Sequence, residues 1–458
     1  MITRIEIDGF KTFRRFELEL APFQLIVGAN GAGKSNLFDA LRLLSQLAED
    51  DLYAAFSVTR GGAASLFSIN SDGSRVPEIR LAVELLVDPV VRDGWGQSAE
   101  LSWTRLRYEV AIGRAGGDGD LESLVIRHES LSPVIRQTDS WAARYLSAQP
   151  ARWRAPAAHG SLPFISTVAD GEPTIILHRD GDGQEQVGRA RAMTRTRLSG
   201  AQGASSPHAF AAYQELRGWQ LVALVPASLR EPGSGLDPQV MMASGANLPA
   251  ALARIGREDP QALQDVARDL ADLVPGVRGI EIEVDILRRE VLAYVRMQGD
   301  RRLPASLLSD GTLRLMALSA LSHDSGRRGV LLLEEPEDGL YPAWLDGLAS
   351  LLHGLATDLA DPQQSGEPLR QAVVSTHSPA LVRQPGMRDN LLFAQLVSRV
   401  QPGQAQVLRV THIVPLPAGE DEEGTVGPEG RYAQAQVEAY LAAASSSSSF
   451  VVPGVVAG

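Results

Sequence analysis

A mixed α/β fold, interrupted by a mainly helical insertion, is what the sequence predicts, and three observations carry it. Phe23-Gln24-Leu25-Ile26-Val27 reads as a short buried strand, running straight into a glycine-rich stretch with one lysine and then into a segment of helical apolar spacing. A second apolar run, Val330-Leu331-Leu332-Leu333, ends abruptly in Glu334 and Glu335, as a buried strand does when it carries acids to the edge of a sheet. The alternation of strand and helix patterns stops near residue 130 and resumes near 300, so two α/β segments are expected to share one sheet.

The stretch after the first strand, Gly28-Ala29-Asn30-Gly31-Ala32-Gly33-Lys34-Ser35, fits the pattern G-x-x-x-x-G-K-[ST]. Glycines let backbone N–H groups curl around a phosphate without Cβ clashes, Lys34 offers a point charge for β- and γ-phosphates, and the Ser35 hydroxyl suits Mg²⁺. Asn36 to Leu44 continues with helical spacing, so the loop opens onto a helix N-terminus that favours anions. The chain has only two lysines, Lys11 and Lys34, among 43 basic residues. A lysine kept here against an arginine-rich background fits a site that wants a compact ammonium. A nucleoside triphosphate is the expected ligand.

Composition narrows the rest. With 458 residues, 44% hydrophobic and 21% charged, the chain can bury a large core and divide into two or three lobes. No cysteine is present, which excludes disulfides, thiolate metal sites and cysteine nucleophiles. The N-terminus alternates like a strand, and no apolar run nears the roughly 20 residues that cross a bilayer, so a cytoplasmic protein with no membrane contact is expected. A net charge of −12 argues against a surface that holds nucleic acid by charge alone. Two arginine groups, Arg189, Arg191, Arg195 and Arg197, then Arg288, Arg289, Arg296, Arg301 and Arg302, read either as local phosphate contacts or as solvated faces.

Along the chain, residues 1–130 are expected to form a first α/β lobe around the phosphate loop. Its strands are Ile2 to Ile7, Arg15 to Leu20, Phe23 to Val27, Glu78 to Val87 and Leu101 to Ile112. Residues 131–300, with Pro/Gly-rich stretches between candidate helices at Ala209 to Gly218, Asn247 to Arg257 and Gln261 to Leu273, read as the inserted helical lobe, with prolines too frequent for a long coiled coil. Residues 301–415 return to α/β, with helices at Thr312 to Leu321 and around Ala343 to Leu359 and strands at Val330 to Leu333 and Gln371 to Ser375. From 416 to 458 an acidic, Gly/Pro-bearing tail with a candidate helix at Arg431 to Ala444 and five serines is expected to be partly flexible.

Three further motifs complete the candidate site. Glu334 can hold Mg²⁺, directly or through water, and Glu335 can polarise an attacking water. Leu308-Ser309-Asp310-Gly311-Thr312 precedes a helix; Ser309 and the Gly311 N–H suit an anion, or Ser309 or Asp310 simply caps the helix. Ser375-Thr376-His377-Ser378-Pro379 ends a strand, where His377 either reaches a γ-phosphate or packs as a structural histidine.

Taken in order, the phosphate loop, Leu-Ser-Asp-Gly-Thr, the apolar strand with Glu-Glu-Pro-Glu, Asp-Gly-Leu-Tyr-Pro and Ser-Thr-His-Ser-Pro resemble the RecF/SMC branch of the ABC-type ATPases, in a compact AAA-type form without a long coiled coil. Ile7-Asp8-Gly9-Phe10-Lys11-Thr12-Phe13 also looks like that family's first strand and turn. The resemblance implies a P-loop NTPase of ABC-ATPase head type that uses ATP and Mg²⁺ and pairs head to tail as an ATP-dependent homodimer. It implies that Asn30, Gly31, Ala32, Gly33, Lys34, Ser35 and Asn36 of one copy hold the nucleotide while Ser309 and Gly311 of the other meet the γ-phosphate. Glu335 would orient water, His377 would sense the γ-phosphate, Asp338 would lie at the junction, and Ser35 and Glu334 would face the metal.

The sequence departs from the family's usual Asp-Glu by carrying Glu334 before Glu335; the extra methylene moves the carboxylate by about 1.5 Å, which points to slow hydrolysis. No glutamine-loop residue is assigned. Two functions fit. One is an ATPase in DNA-linked work such as repair, recombination or phage defence; the other is a weakly hydrolysing, ATP-gated switch for a separate effector such as a nuclease. A transporter subunit fits poorly with the Leu-Ser-Asp-Gly-Thr form, and the acids at Glu420 to Glu423 lack the flanking strands of a built-in nuclease.

Overall fold

A computed structural model describes residues 1–115, 123–158, 162–178, 185–201, 203, 205–238, 240–399 and 407–415. The expected tail, with its candidate helix at 431–444 and the acids at 420–423, lies outside them.

Short runs that are apolar at nearly every position gain most when both faces are removed from water, and three largely apolar strands build the centre. Phe23–Val27, Gly329–Glu334 and Arg370–Thr376 lie side by side in a six-stranded sheet, flanked by Gln220–Val222 at one end and by Leu391–Arg399 and Leu408–Pro415 at the other. The first five strands in spatial order run parallel and the last is antiparallel. Side chains alternate between two cores, as the period of a strand requires. Ile26, Val330, Leu332 and Val373 face one side, where they meet the helix Lys34–Glu49 and a large antiparallel sheet. Leu25, Val27, Leu331, Leu333, Ala372 and Val374 face the other, packed on the helices Leu248–Glu258, Pro260–Leu273, Asp310–Ser322 and Leu345–Gly354. Of the first α/β segment, Phe23–Val27 joins the strands of the second in this sheet, whereas its other four expected strands lie in the antiparallel sheet.

The antiparallel sheet has eight strands, in the order Glu185–Arg189, Thr174–His178, Ile165–Val168, Ser123–Pro133, Arg105–Ala115, Glu78–Leu86, Ile2–Asp8 and Phe16–Glu19. Here the span 131–300 departs from the mainly helical insertion expected of it. It carries three strands that extend this sheet, the edge strand Gln220–Val222 of the central sheet, and the hairpin Val277–Asp285 with Glu290–Met297, alongside its helices. The reason is visible in Thr-Ile-Ile-Leu-His and Val-Arg-Gly-Ile-Glu-Ile-Glu-Val-Asp. Both are short and β-branched, and their value as strands comes from the neighbours they pair with. The three helices read from sequence in that span are present within a few residues of their expected ends.

A buried acid ties the insertion to the antiparallel sheet. Glu129, fully buried in the strand Ser123–Pro133, accepts hydrogen bonds from the backbone N–H of Arg197 (2.7 Å) and Leu198 (2.9 Å) and from the Tyr108 hydroxyl (3.1 Å). Burial pushes its carboxyl from an ordinary 4.5 up to about 7, against the pull of those donors. The folded chain thus holds this proton more tightly than the unfolded chain. The stability that it contributes is complete below about pH 4.5 and is lost as pH rises through about 7. Relative to Glu129→Gln, which cannot titrate, the wild type is expected to lose up to about 3 kcal/mol of unfolding free energy across that window. Denaturant melts of both proteins at a series of pH values check this, and parallel curves would refute it.

Candidate nucleotide site at the edge of the parallel sheet

Register decides what meets at the carboxyl edge. Ile26 is paired with Ser375, Val27 with Thr376, and Glu334 with Ser375, so the residues following these three strands emerge together. They are the glycine loop from Gly28, the Glu334-Glu335 pair and the turn at His377. The loop is built by close contact. A Cβ at Gly28 would lie 2.4 Å from the Ala394 carbonyl oxygen, and one at Gly33, whose φ is +99°, would lie 2.0 Å from Thr411 Oγ1. Asn30 and Gly31 stand exposed at the loop's tip, Ala32 is buried, and Ser35 is half-buried in the first turn of the helix Lys34–Glu49. The first N–H groups of that helix have no intrahelical partner, which leaves them for an anion.

Lys34 is nearly buried, and its Nζ donates to the carbonyls of Gly28 (2.6 Å) and Ala29 (3.1 Å). Burial draws its pKa below the ordinary lysine value, while the carboxylates of Glu335, Glu337 and Glu334 pull it back upward. Glu334 Oε2 takes a hydrogen bond from Arg60 Nη2 at 2.9 Å, and its Oε1 is buried with no hydrogen-bond partner. That orphaned oxygen, with the Ser35 hydroxyl, is a hard-oxygen donor set of the kind Mg²⁺ takes, so the residues present fit the expected metal.

Glu335 adopts a left-handed backbone at φ +49°, a conformation a glutamate reaches only when its surroundings impose it. Its N–H donates to the Ser375 carbonyl (2.8 Å), and its Oε1 lies 2.9 Å from His377 Nδ1, outside the alignment of a hydrogen bond. Asp338 joins them, and the three side chains present donor atoms within 4.8 Å of one another. Next to this group, Glu337 is buried and accepts from the Thr376 hydroxyl; burial raises its carboxyl above the ordinary range.

Ser309 and Gly311 sit elsewhere. Ser309 caps the helix Asp310–Ser322 through Thr312 N (3.2 Å), and Arg230 holds Asp310 (2.5 Å) and the Leu308 carbonyl (2.9 Å). Gly311 packs against the turn after the acids, where a Cβ would meet Trp344 at 3.1 Å and Leu340 at 3.3 Å. Arg314 of the same helix reaches the Asp338 carbonyl. Among the described residues no hydrogen bond or ion pair joins Ser309 or Gly311 to the glycine loop, while Ser309 itself is exposed. Asn36, expected at the nucleotide, instead donates to Thr12 Oγ1 (2.8 Å), which bonds Thr411 Oγ1 (2.7 Å) behind the loop.

Four participants escaped the sequence reading. Arg60 follows the loop's helix in an Arg-Gly-Gly stretch, Glu337 lies inside the acidic run, and both carried a local signal of charge. Thr12 and Thr411 carried none, because their meeting joins positions 399 residues apart. The arginine group at 288–302 is partly neutralised within its own sheet, with Arg302 at 2.9 Å from both Glu281 and Glu283.

A glycine loop at a helix N-terminus, acids at the end of a parallel strand and a histidine turn on the next strand define a phosphate-loop ATPase head of ABC type. The chain is similar to the SMC/RecF-like branch of those ATPases. Residues 1–91 match the family "AAA ATPase domain" and residues 195–383 match "AAA domain, putative AbiEii toxin, Type IV TA system". Chromosome partition protein Smc of Bordetella petrii is 37% identical over 89 residues, 19% of this chain and 7% of that protein. Its counterpart from Thauera aminoaromatica is 34% identical over 110 residues, 23% of this chain and 9% of that protein. The matched part spans less than a tenth of those relatives. An Smc head solved with the C-winged helix domain of ScpA aligns over 90% of this chain and 98% of its own, at 14% identity and a TM-score of 0.47.

The close contacts at Gly33 generate a test of the loop. Gly33→Ala meets both left-handed strain and the Thr411 side chain, whereas Gly31→Ala, at φ +80°, meets strain alone, with no atom within 4 Å of its added Cβ. Gly33→Ala is expected to lose about 1–3 kcal/mol more stability than Gly31→Ala, which paired urea melts will show.

Proposed function

We propose that this protein binds ATP with Mg²⁺ and hydrolyses it at a composite site completed by a second copy of the chain in head-to-tail contact. The observation that carries the reading is a division of the parts. The loop, Glu334, Glu335, Asp338 and His377 share one sheet edge, whereas exposed Ser309 caps a different helix and makes no bond to the loop. In this reading Asn30 to Ser35 grip the phosphates, and Lys34 exchanges the carbonyls of Gly28 and Ala29 for phosphate oxygens. Ser35 and Glu334 would hold Mg²⁺, which when bound neutralises phosphate charge. Glu335, aimed by His377 and by its own constrained backbone, takes a proton from water as it attacks the γ-phosphorus. Ser309 and Gly311 of the second copy grip the γ-phosphate, so ATP closes the pair and hydrolysis releases it.

A specific feature also favours slow turnover and a switch-like use. Glu334 stands where relatives usually carry Asp, and Arg60 holds one of its oxygens. A DNA-linked setting draws its support from the chromosome partition proteins that part of the chain matches; repair, recombination and phage defence are the forms of it that we propose. The net charge of −12 makes salt-sensitive phosphate contacts a matter of local patches. No helix among the described residues is long and apolar enough to cross a membrane.

Glu335→Gln is the decisive variant. It is expected to keep ATP affinity, to lose at least about a hundredfold in turnover, and to accumulate as a dimer with ATP and Mg²⁺ by light scattering. A switch that barely hydrolyses would show little change in turnover. Wild-type protein that ignores ATP, or a Glu335→Gln variant that binds ATP and remains monomeric, would remove the composite site.

A further inference from the structure

Two turns carry the reacting groups, and they leave adjacent parallel strands whose ends are level, with Glu334 opposite Ser375. Two of the links between these turns are the backbone bond from Glu335 N to the Ser375 carbonyl and the half-exposed contact of His377 with Glu335. Another is made by buried side chains: Glu337 accepts from the hydroxyl of Thr376, which is fully buried. The same Thr376 oxygen accepts the backbone N–H of Ser378 at 2.8 Å, so the hydroxyl clasps the chain on both sides of His377. Glu337 in turn lies inside the acid turn, where its carbonyl receives the N–H of Leu340 (3.0 Å). One Glu337 oxygen is buried without a hydrogen-bond partner, a cost that a purely structural position would shed by carrying an apolar residue.

We propose that Glu337 is a positioning residue for hydrolysis, which through the Thr376 hydroxyl fixes the turn of His377 against the turn of Glu335. Without that clasp, the half-exposed contact between His377 and Glu335 has to hold its own geometry against water and rotamer freedom. Small displacements at such a place are costly to rate and cheap to affinity, because the phosphates are gripped by a different segment. The role needs an acceptor at the Oε1 position, which Gln also provides, and it needs the hydroxyl on residue 376, which Ser also provides. The inference rests on the ATPase reading of the site for its rate effects, while the geometry of the clasp can be read without any turnover.

The experiment compares Glu337→Ala, Glu337→Gln, Thr376→Val and Thr376→Ser in the full chain. Glu337→Ala and Thr376→Val are expected to lower kcat between about tenfold and a hundredfold with ATP affinity within about twofold of wild type. Combining them adds little further, since both break one bond. Glu337→Gln and Thr376→Ser retain most of the turnover. The ring ¹⁵N and ¹H signals of His377, assigned by their loss in His377→Gln, shift in Glu337→Ala and Thr376→Val and return toward wild type in the two conservative variants. Should Glu337→Ala turn ATP over at the wild-type rate, or Glu337→Gln be as slow as Ala, or the His377 signals stay put in Thr376→Val, the clasp is wrong. A wild type without turnover whose His377 signals still respond would overturn the ATPase reading and leave the clasp standing.

Discussion

The pairing of Phe23–Val27 with Arg370–Thr376, and of that strand with Gly329–Glu334, is the constraint on which the site depends. Strand pairing is periodic in two residues, so a slip of one would turn Leu25 and Leu333 toward the wrong core and move Gly28, Glu335 and His377 out of line together. The two apolar cores therefore enforce the chemistry at the edge. Ile26, Val330, Leu332 and Val373 pack into one core and their alternating neighbours into the other in this register. The geometry of the edge is inherited first from packing, and the bonds between the turns act on a frame that packing has already set.

Charge is arranged around this frame with little redundancy. One nearly buried lysine faces the carboxylates of Glu334, Glu335 and Glu337, and each acid is held by a different means. Arg60 pairs with Glu334, a forced left-handed backbone aims Glu335, and Thr376 engages Glu337. Their environments separate the roles that three neighbouring glutamates would otherwise share. Glu334 has an arginine partner, Glu335 beside His377 is half-exposed, and Glu337 beneath them is buried, with its carboxyl raised by that burial.

Legibility in the sequence followed the range of the interaction. The loop Gly28 to Ser35, the run into Glu334 and Glu335, and the turn at His377 were readable because each couples a local backbone need to a local chemical need within about ten residues. Ser309 could be read as a site or as a cap, and it caps its helix; whether it also meets a phosphate concerns a second copy. Asn36 was read by adjacency as a nucleotide residue, and the contact its side chain makes, with Thr12, was not legible in the local pattern. The strands between 131 and 300 were hidden because a short β-branched run gains its stability from a neighbour that local spacing does not reveal.

By itself, then, the amino-acid order determined the phosphate-loop geometry, the parallel α/β character of the centre and the position of the acids at its edge, because helix dipoles, glycine conformations and apolar runs act over a turn or a strand. Tertiary structure decided how each acid is held, that Arg60 pairs with Glu334, that Thr411 closes on Gly33 and that Glu337 reaches Thr376. Those contacts join segments tens to hundreds of residues apart. Their existence depends on how two cores settle around one sheet, a collective outcome of packing that no local pattern contains.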